Sequence, residues 1–425
     1  MIAAPKSGSG KTLLTCALLQ ALKDRGEPVV SYKCGPDYID PMFHQKVMEV
    51  PSKNLDTFFT DERQTRDLFL QGRKEGDFAV MEGVMGLYDG LGGIRQEGSS
   101  YHLAQITETP IILVVDAKGM GRSVIPLIAG FLTYDRAHLI RGVILNRISS
   151  SYYGILKPLI EEELQIQVAG YFPEAGQFHI ESRHLGLWMP DELQNIRERL
   201  REAGEQFQKT VSVDLLLRIA EQAEETEWLQ KLPDASQKPE ADGTWHATGS
   251  GMESGTGQDT DSDAGVVLAV ARDEAFCFYY EDNLRLLREN GGSLQFFSPL
   301  HDSALPKDCC GILLGGGYPE LYGKELEQNE AMRMAIRKAA SDGIPMVAEC
   351  GGFMYLHSII RDQKQNSSLG AGVLPKTCYA TEKLVRFGYI SLEEKNANFL
   401  PEGTTVRGHE FHYFDSEDNG ADCIA

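Results

Sequence analysis

Short apolar, β-branched runs alternate with amphipathic stretches along most of the chain. In the first half the runs fall at residues 28–32, 78–81, 111–116, 142–145 and 168–171. Between them lie segments of helical periodicity at 12–25, 62–74 and 123–132. Continuous apolar strands suit a sheet buried on both faces, and helices between them make the connections parallel. The pattern predicts an α/β unit built from βαβ crossovers. Residues 190–232 are helical and highly charged, which predicts two surface helices. The second half repeats the style. Strands are predicted at 266–271, 311–314 and 345–348, and helices at 281–290 and 325–341.

One stretch breaks the pattern. Residues 233–265 are rich in Gly, Ser, Thr and Asp and nearly free of aliphatic side chains. Such a segment cannot bury enough apolar surface to offset its ordering entropy, so it predicts a flexible acidic linker. It divides the chain into units at 1–232 and 266–425. At roughly 150 residues per domain, a chain of 425 accommodates that division. The formal charge of −21 is uneven, because seven acids and one lysine place −6 of it in this linker. An acidic chain is poorly suited to coating nucleic acid or an anionic membrane. No run approaches the roughly 18 apolar residues of a membrane span, and MIAAPKSGSGKT does not read as a signal peptide. Eight cysteines without disulfide-like spacing suit a cytoplasmic protein with reduced thiols. The adjacent Cys309 and Cys310 lack metal-ligand spacing and are expected to be buried.

The first candidate site opens the chain. A short strand leads into P-K-S-G-S-G-K-T and then a helix. Such a loop turns backbone N–H groups inward at a helix N-terminus, and both attract phosphate. Gly8 and Gly10 permit the tight path, Lys11 can reach the β- and γ-phosphates, and Thr12 can offer a hydroxyl to Mg²⁺. Pro5 stands where the usual motif has its first glycine, and Lys6 matches the extra lysine of deviant P-loops. Acids follow other strands that end on the same edge, where ligands of open α/β sheets bind. They are Asp37 and Asp40 in K-C-G-P-D-Y-I-D-P, Glu82 and Asp89 in E-G-V-M-G-L-Y-D-G, and Asp116. Carboxylates there suit Mg²⁺ and phosphoryl transfer. Asn146 ends another strand and could read an adenine edge.

The second candidate site is P-M-V-A-E-C-G-G-F-M-Y-L. A strand, Cys350, two glycines and a helix give the layout of a nucleophile elbow. The helix N-terminus would favour the thiolate. Upstream, I-L-L-G-G-G-Y-P-E ends a strand at Gly315–Gly317, whose N–H groups could form part of an oxyanion hole. A thiol nucleophile needs a base, usually His. His357 lies on the helix after the elbow and reads as structural. His409 and His412 lie in the strand-like R-G-H-E-F-H-Y and read as an edge pair with local hydrogen bonds.

Together these motifs resemble the cobyrinic acid a,c-diamide synthases, glutamine-dependent amidotransferases of cobalamin biosynthesis. The matching segments also include R-H-L-G-L and A-R-D-E-A-F-C-F-Y-Y, and they span nearly the whole chain. The resemblance implies a dethiobiotin-synthetase-like P-loop ATPase unit followed by a class I glutamine amidotransferase unit. It implies ATP and Mg²⁺ as cofactors, with glutamine and cobyrinic acid or a related tetrapyrrole as substrates. Cys350 would be the glutaminase nucleophile, with Gly317 and Gly351 forming the oxyanion hole. Asp37, Glu82 and Asp89 would serve synthetase chemistry, and Tyr38 and Ile39 the substrate. Gly8, Gly10, Lys11, Thr12 and Asn146 would hold nucleotide, with Thr12 and Glu82 on the metal. A polycarboxylate substrate further implies a local basic patch, for which Lys33, Arg95 and Arg122 are candidates. A homodimer is compatible with this reading.

One departure from the family pattern stands out. The family's glutaminase histidine lies in an S-Y-x-H-x-H-type segment beyond R-G-H-E-F-H-Y. The sequence reaches Ala425 without one. The second unit is therefore expected to be short at its C-terminus and a poor glutaminase. Two other readings remain open. One is the same reaction on hydrogenobyrinic acid or nickel-sirohydrochlorin. The other is a P-loop ATPase switch, like partition ATPases, with a non-catalytic amidotransferase-like module.

Overall fold

The computed structural model describes residues 1–74, 77–174, 190–223, 266–395, 400–418 and 423–424. The expected linker at 233–265 and the R-H-L-G-L motif lie outside the described residues. In the first unit seven strands form one parallel sheet. They are β1 (Ile2–Ala3), β2 (Val29–Cys34), β3 (Ser52–Leu55), β4 (Phe78–Glu82), β5 (Ile111–Asp116), β6 (Ile140–Asn146) and β7 (Gln167–Phe172). Their spatial order is β3-β2-β4-β1-β5-β6-β7. Side chains alternate across a strand. Ile112 and Val114 of β5 therefore enter one core, while Ile111, Leu113 and Val115 enter the other. Both faces are covered, which is why these strands are apolar at every position.

Helices α1 (Lys11–Asp24), α2 (Ile39–Lys46), α7 (Pro190–Thr210) and α8 (Val213–Glu221) close the first face. The second is closed by α3 (Glu62–Gly72), α4 (Ser100–Ile106), α5 (Val124–Tyr134) and α6 (Ser150–Leu164). The expectation of surface helices after residue 190 is corrected. Their charged faces point outward, but Leu200, Ala203 and Phe207 of α7 and Val213, Leu216 and Ile219 of α8 are core residues. A narrow apolar stripe is enough to make a charged helix part of the core.

In the second unit β8 (Val266–Ala271), β10 (Gly292–Phe297), β11 (Gly311–Leu314) and β13 (Met346–Ala348) form a parallel sheet ordered β10-β8-β11-β13. Two residue pairs of β9 (Phe276–Phe278) and β12 (Gly316–Gly317) lie antiparallel beside it. The single helix expected at 325–341 is two, Gly323–Gln328 and Glu330–Ser341. Asn329 interrupts it, and its side chain accepts a hydrogen bond from Met332 N to cap the second helix. A second sheet contains β14 (His357–Arg361), β15 (Ser367–Leu369), β16 (Leu374–Ala380) and β19 (Phe414–Ser416). The hairpin of β17 (Arg386–Glu394) and β18 (Thr405–His412) pairs also with β20 (Cys423–Ile424). Cys310 is exposed and Cys309 half-buried, against the expectation of burial for both.

The two units meet above the carboxyl ends of the first sheet. Tyr280 donates its hydroxyl proton to Pro36 O at 2.6 Å, and Lys53 pairs with Asp282 at 2.7 Å. The hairpin adds Tyr389, which donates to Asp56 at 2.8 Å, and Arg407, which donates to Phe58 O at 2.7 Å. Among the described residues no helix is long and apolar enough to cross a membrane.

Candidate active site

The P-loop runs from β1 into α1. Gly8 and Gly10 both take positive φ, 75° and 95°, which side chains resist. A Cβ on Gly10 would also strike Asn146 Nδ2. Asn146 is buried and donates from Nδ2 to Ser9 O at 2.8 Å, while its Oδ1 accepts from Arg147 N at 3.0 Å. Its amide thus buttresses the backbone of the P-loop, beside the expected nucleotide site. Lys11 donates to Met85 O at 2.5 Å, so the loop after β4 folds back over the P-loop. Burial and the Lys33 charge pull the Lys11 ammonium down, against Glu82, Asp89 and Asp40.

Four charged side chains, from β2, the loop after it, α2 and the end of β4, converge beside this loop. Glu82, ending β4, accepts from Thr12 Oγ1 at 2.7 Å and from Lys33 Nζ at 2.8 Å, both on Oε1. Lys33 also donates to Asp40 at 2.5 Å and lies 4.0 Å from Asp37. Burial alone would lower the Lys33 ammonium, but Glu82, Asp40 and Asp37 hold it well above its usual range. Burial raises the Glu82 carboxyl to about 7, although Lys33 pulls the other way. Burial likewise raises Asp37, helped by Asp40. Asp40 resists burial because Lys33 holds it below the ordinary value. Removing one member of such a buried set leaves the others unpaired, at a cost of about 3–5 kcal/mol.

The expected metal ligands fit this geometry. Glu82 Oε2 is buried without a hydrogen-bond partner, next to the Thr12 hydroxyl. Mg²⁺ takes few protein ligands beside phosphates and water. Among the described residues no group of three or more His, Cys, Asp or Glu forms a self-sufficient metal site. The other expected residues take local roles. Asp37 accepts from Ile39 N at 2.8 Å and opens α2, where Ile39 packs on the core. Asp89 accepts from Gly86 N at 3.0 Å and closes the loop after β4. Of the suggested basic patch, Lys33 is buried among acids and Arg122 pairs with Glu163 at 2.7 Å. Both are corrected as free cations, and Arg95 alone of the three is exposed without a carboxylate partner among the described residues.

Cys350 takes φ 49° and ψ −111°, a strained turn between β13 and the helix Gly351–Leu356. The backbone N–H groups of Gly317 and Gly351 point at its sulfur. These are the two donors expected for an oxyanion hole, gathered from β12 and the elbow. A Cβ on Gly317 would strike the Ala275 carbonyl oxygen, so the close approach demands glycine. The thiol reaches solvent at the bottom of a crowded recess. Desolvation there pushes it up, Glu320 and Glu349 add to that, and the two N–H groups oppose it. The expected thiolate preference is therefore corrected, because six helical residues and two N–H groups do not offset desolvation and neighbouring acids. Among the described residues no histidine hydrogen-bonds to Cys350. His357 does not lie on the helix after the elbow, as expected, but opens β14, where it is buried against Phe353 O and Ser416 Oγ in a structural role. His412 bonds Phe414 O at 2.6 Å.

Glu320 and His44 were missed in the sequence, as was the packing of Tyr38, itself an expected substrate residue. Tyr38 is stacked between Phe278 and Tyr280, with ring centroids 5.1 and 4.2 Å away. Burial, then Glu349 and Cys350, push its hydroxyl up, so it reaches the neighbourhood of the elbow. Glu320 sits near Cys350 with its carboxyl raised to about 7 by burial. His44, four residues past Asp40 on α2, is wholly buried between Ser31 Oγ at 3.0 Å and Cys16 Sγ at 3.6 Å. The i, i+4 spacing of Asp40 and His44 was the available signal for the last.

Comparison with known proteins agrees with this two-site arrangement. Residues 1–185 match the CobQ/CobB/MinD/ParA nucleotide binding domain. Residues 267–422 match the CobB/CobQ-like glutamine amidotransferase domain. A cobyrinate a,c-diamide synthase of Caldanaerobacter subterraneus is 38% identical over 97% of this chain and 85% of its own. One from Dehalococcoides mccartyi is 37% identical over the same shares. One from Listeria innocua is 36% identical over 100% of this chain and 88% of its own. The chain therefore belongs to the cobyrinate a,c-diamide synthase family, and is an ATP-using, glutamine-dependent amidotransferase of the ligase class.

Proposed function

We propose that the enzyme amidates the c and then the a side-chain carboxylate of cobyrinic acid. A carboxylate is a poor electrophile and must first be activated. One of its oxygens attacks the γ-phosphorus of ATP, and ADP leaves. Ammonia attacks the carbonyl carbon of the resulting acyl phosphate, phosphate leaves with the bonding pair, and the excess proton passes to solvent. The ammonia comes from glutamine. The Cys350 sulfur attacks the side-chain amide carbon, the thiol proton goes to the departing nitrogen so that the C–N bond breaks and ammonia leaves, and water hydrolyses the thioester to glutamate.

Residues 1–232 carry the activation step and residues 266–425 the glutaminase, joined by a linker at 233–265. Gly8, Gly10 and Lys11 hold the nucleotide phosphates. Thr12 and Glu82 would hold Mg²⁺, which would supply charge neutralisation at the transferring phosphoryl group. Asp37, Asp89, Tyr38 and Ile39 orient the acceptor carboxylate. Gly317 and Gly351 donate their N–H groups to the oxyanion that forms on glutamine. The observation that carries this reading is the nearness of the two sites. Tyr38 stacks on Phe278 at 5.1 Å, Phe278 and Cys350 both crowd Gly316, and Asp37, next to Tyr38, lies 4.0 Å from Lys33.

Two variants test the division of labour. Cys350→Ala should abolish amidation from glutamine while ammonium still supports it, and equal loss with both donors refutes the assignment. Lys11→Ala should abolish amidation from either donor. Turnover of nickel-sirohydrochlorin or hydrogenobyrinic acid in place of cobyrinic acid would move the substrate and keep the chemistry.

A further inference from the structure

The hairpin of β17 and β18 presents an aromatic face that the chemistry above leaves unused. Its register pairs Phe387 with Phe411, Tyr389 with His409 and Ser391 with Arg407. Directly opposed residues share a face of the sheet. One end of this face is seated on the first unit, through Tyr389 on Asp56 and Phe58 and through Arg407 on Phe58. The other end continues uncovered. Phe387 is 59% exposed and Phe411 58%. Edge-to-face contacts join Phe387 to His409 and to Phe411, both at 5.7 Å between centroids. Burial keeps His409 below its ordinary value, against Glu410, so the ring adds to an apolar surface.

The position of this face is as informative as its composition. β17 runs beside the turn Leu91–Gly93, which ends the loop that begins at Glu82 and covers Lys11. Ile94, the next residue, is 91% exposed. Arg95 follows it, exposed and without a carboxylate partner among the described residues. The hairpin also approaches the loop after β2, where a Cβ on Gly35 would lie 3.7 Å from the Tyr389 hydroxyl. An exposed aromatic surface, and a cation without a carboxylate partner among the described residues, therefore flank the loop that folds over Lys11. Exposed patches of this kind mark binding sites.

We infer that Phe387, Phe411 and His409, with Ile94 and Arg95 opposite, form the platform for the acceptor macrocycle. The ligand class is a broad, flat, largely apolar ring edged with carboxylates. Its face lies on the aromatic row, where ring stacking is favourable. A peripheral carboxylate meets Arg95, and another projects toward the Lys11 and Glu82 loop for activation. The first unit thus supplies the phosphate chemistry and the second unit's hairpin supplies recognition of the ring. This inference rests on the functional reading above, which names a tetrapyrrole acceptor.

The test is the double variant Phe387→Ser, Phe411→Ser in the full chain, assayed with cobyrinic acid and ammonium so that the glutaminase plays no part. The KM for cobyrinic acid, and its Kd by equilibrium dialysis read from corrin absorbance, should rise by roughly 10- to 100-fold. The KM for ATP, measured on the same preparation, should stay within about twofold if the synthetase site is folded. Unchanged KM and Kd for the ring would overturn the platform. A dimer that becomes a monomer, with ring affinity unchanged, would also overturn it and assign the face to a second copy. A wild-type enzyme that does not turn over cobyrinic acid would refute the functional reading, and this inference with it. Wild-type turnover with indifferent variants refutes this inference alone.

Discussion

His44 is enclosed between Ser31 and Cys16, with no exposed surface. Burial drives its imidazole down to about 4, with Lys33 adding to that and Asp40 opposing it. The folded protein therefore holds this ring neutral where an unfolded chain would protonate it near 6.5. Below that pH the unfolded state gains a proton that the native state refuses until about 4. Stability contributed by this group is intact above 6.5 and falls as pH drops toward 4, by about 3 kcal/mol across the window. Urea unfolding between pH 7 and pH 4.5 should show a steeper loss for wild type than for His44→Gln. Parallel curves would show that the ring titrates freely. The residue also shows what a sequence hides. Lys33 was legible as a cation and Asp40 as a strand-end acid. Their burial together with Glu82 and His44 depends on how β2, α2 and β4 close on one another, which no linear spacing states.

At the scale of elements, the elbow shows how backbone geometry becomes chemistry. Cys350 accepts a positive φ because β13 and its helix leave no relaxed path between them. Gly317 approaches so closely that β12 can aim its N–H at the sulfur. Gly317→Ala should push β12 away from Ala275 and withdraw that donor. Glutamine-supported kcat should fall by roughly 100-fold, the scale seen when an oxyanion donor is lost. Ammonium-supported turnover should remain within about threefold. Equal losses with both donors would mean that the substitution acts through folding. The elbow and the P-loop were legible because each needs glycines at fixed offsets from a strand and a helix. β3, with the sequence Ser-Lys-Asn-Leu, was not. It is an edge strand, and an edge needs no apolar run to hold its place. α7 and α8 were legible as helices but not as core, since their charged residues outnumber the stripe that packs on α1 and β7.

At the scale of the molecule, the two units meet along a line of aromatic rings. Tyr38 from the first is held between Phe278 and Tyr280 of the second, and the Tyr280 hydroxyl ties down Pro36. Sequence reading gave both units their α/β style but could not place one against the other. The contacts join residues more than two hundred positions apart, and nothing in local periodicity encodes them. Their location has a consequence for nitrogen transfer. In the proposed reaction ammonia released at Cys350 reaches an acyl phosphate near Glu82 before it escapes to water, and the stacked rings join the neighbourhoods of the two sites, with Phe278 and Cys350 beside Gly316 and Tyr38 next to Asp37. Tyr280→Ala removes one ring of the stack and the hydrogen bond to Pro36. The separate sites remain, since neither Cys350 nor Lys11 touches Tyr280. Glutamine hydrolysis should then continue while less of its ammonia is captured. The ratio of glutamate to amide formed should rise by roughly threefold or more, as expected when a contact that excludes water is lost. Glutamate release and diamide formation, followed in the same reaction, give that ratio directly. An unchanged ratio would show that ammonia crosses elsewhere, and that the aromatic contact serves only to hold the units together.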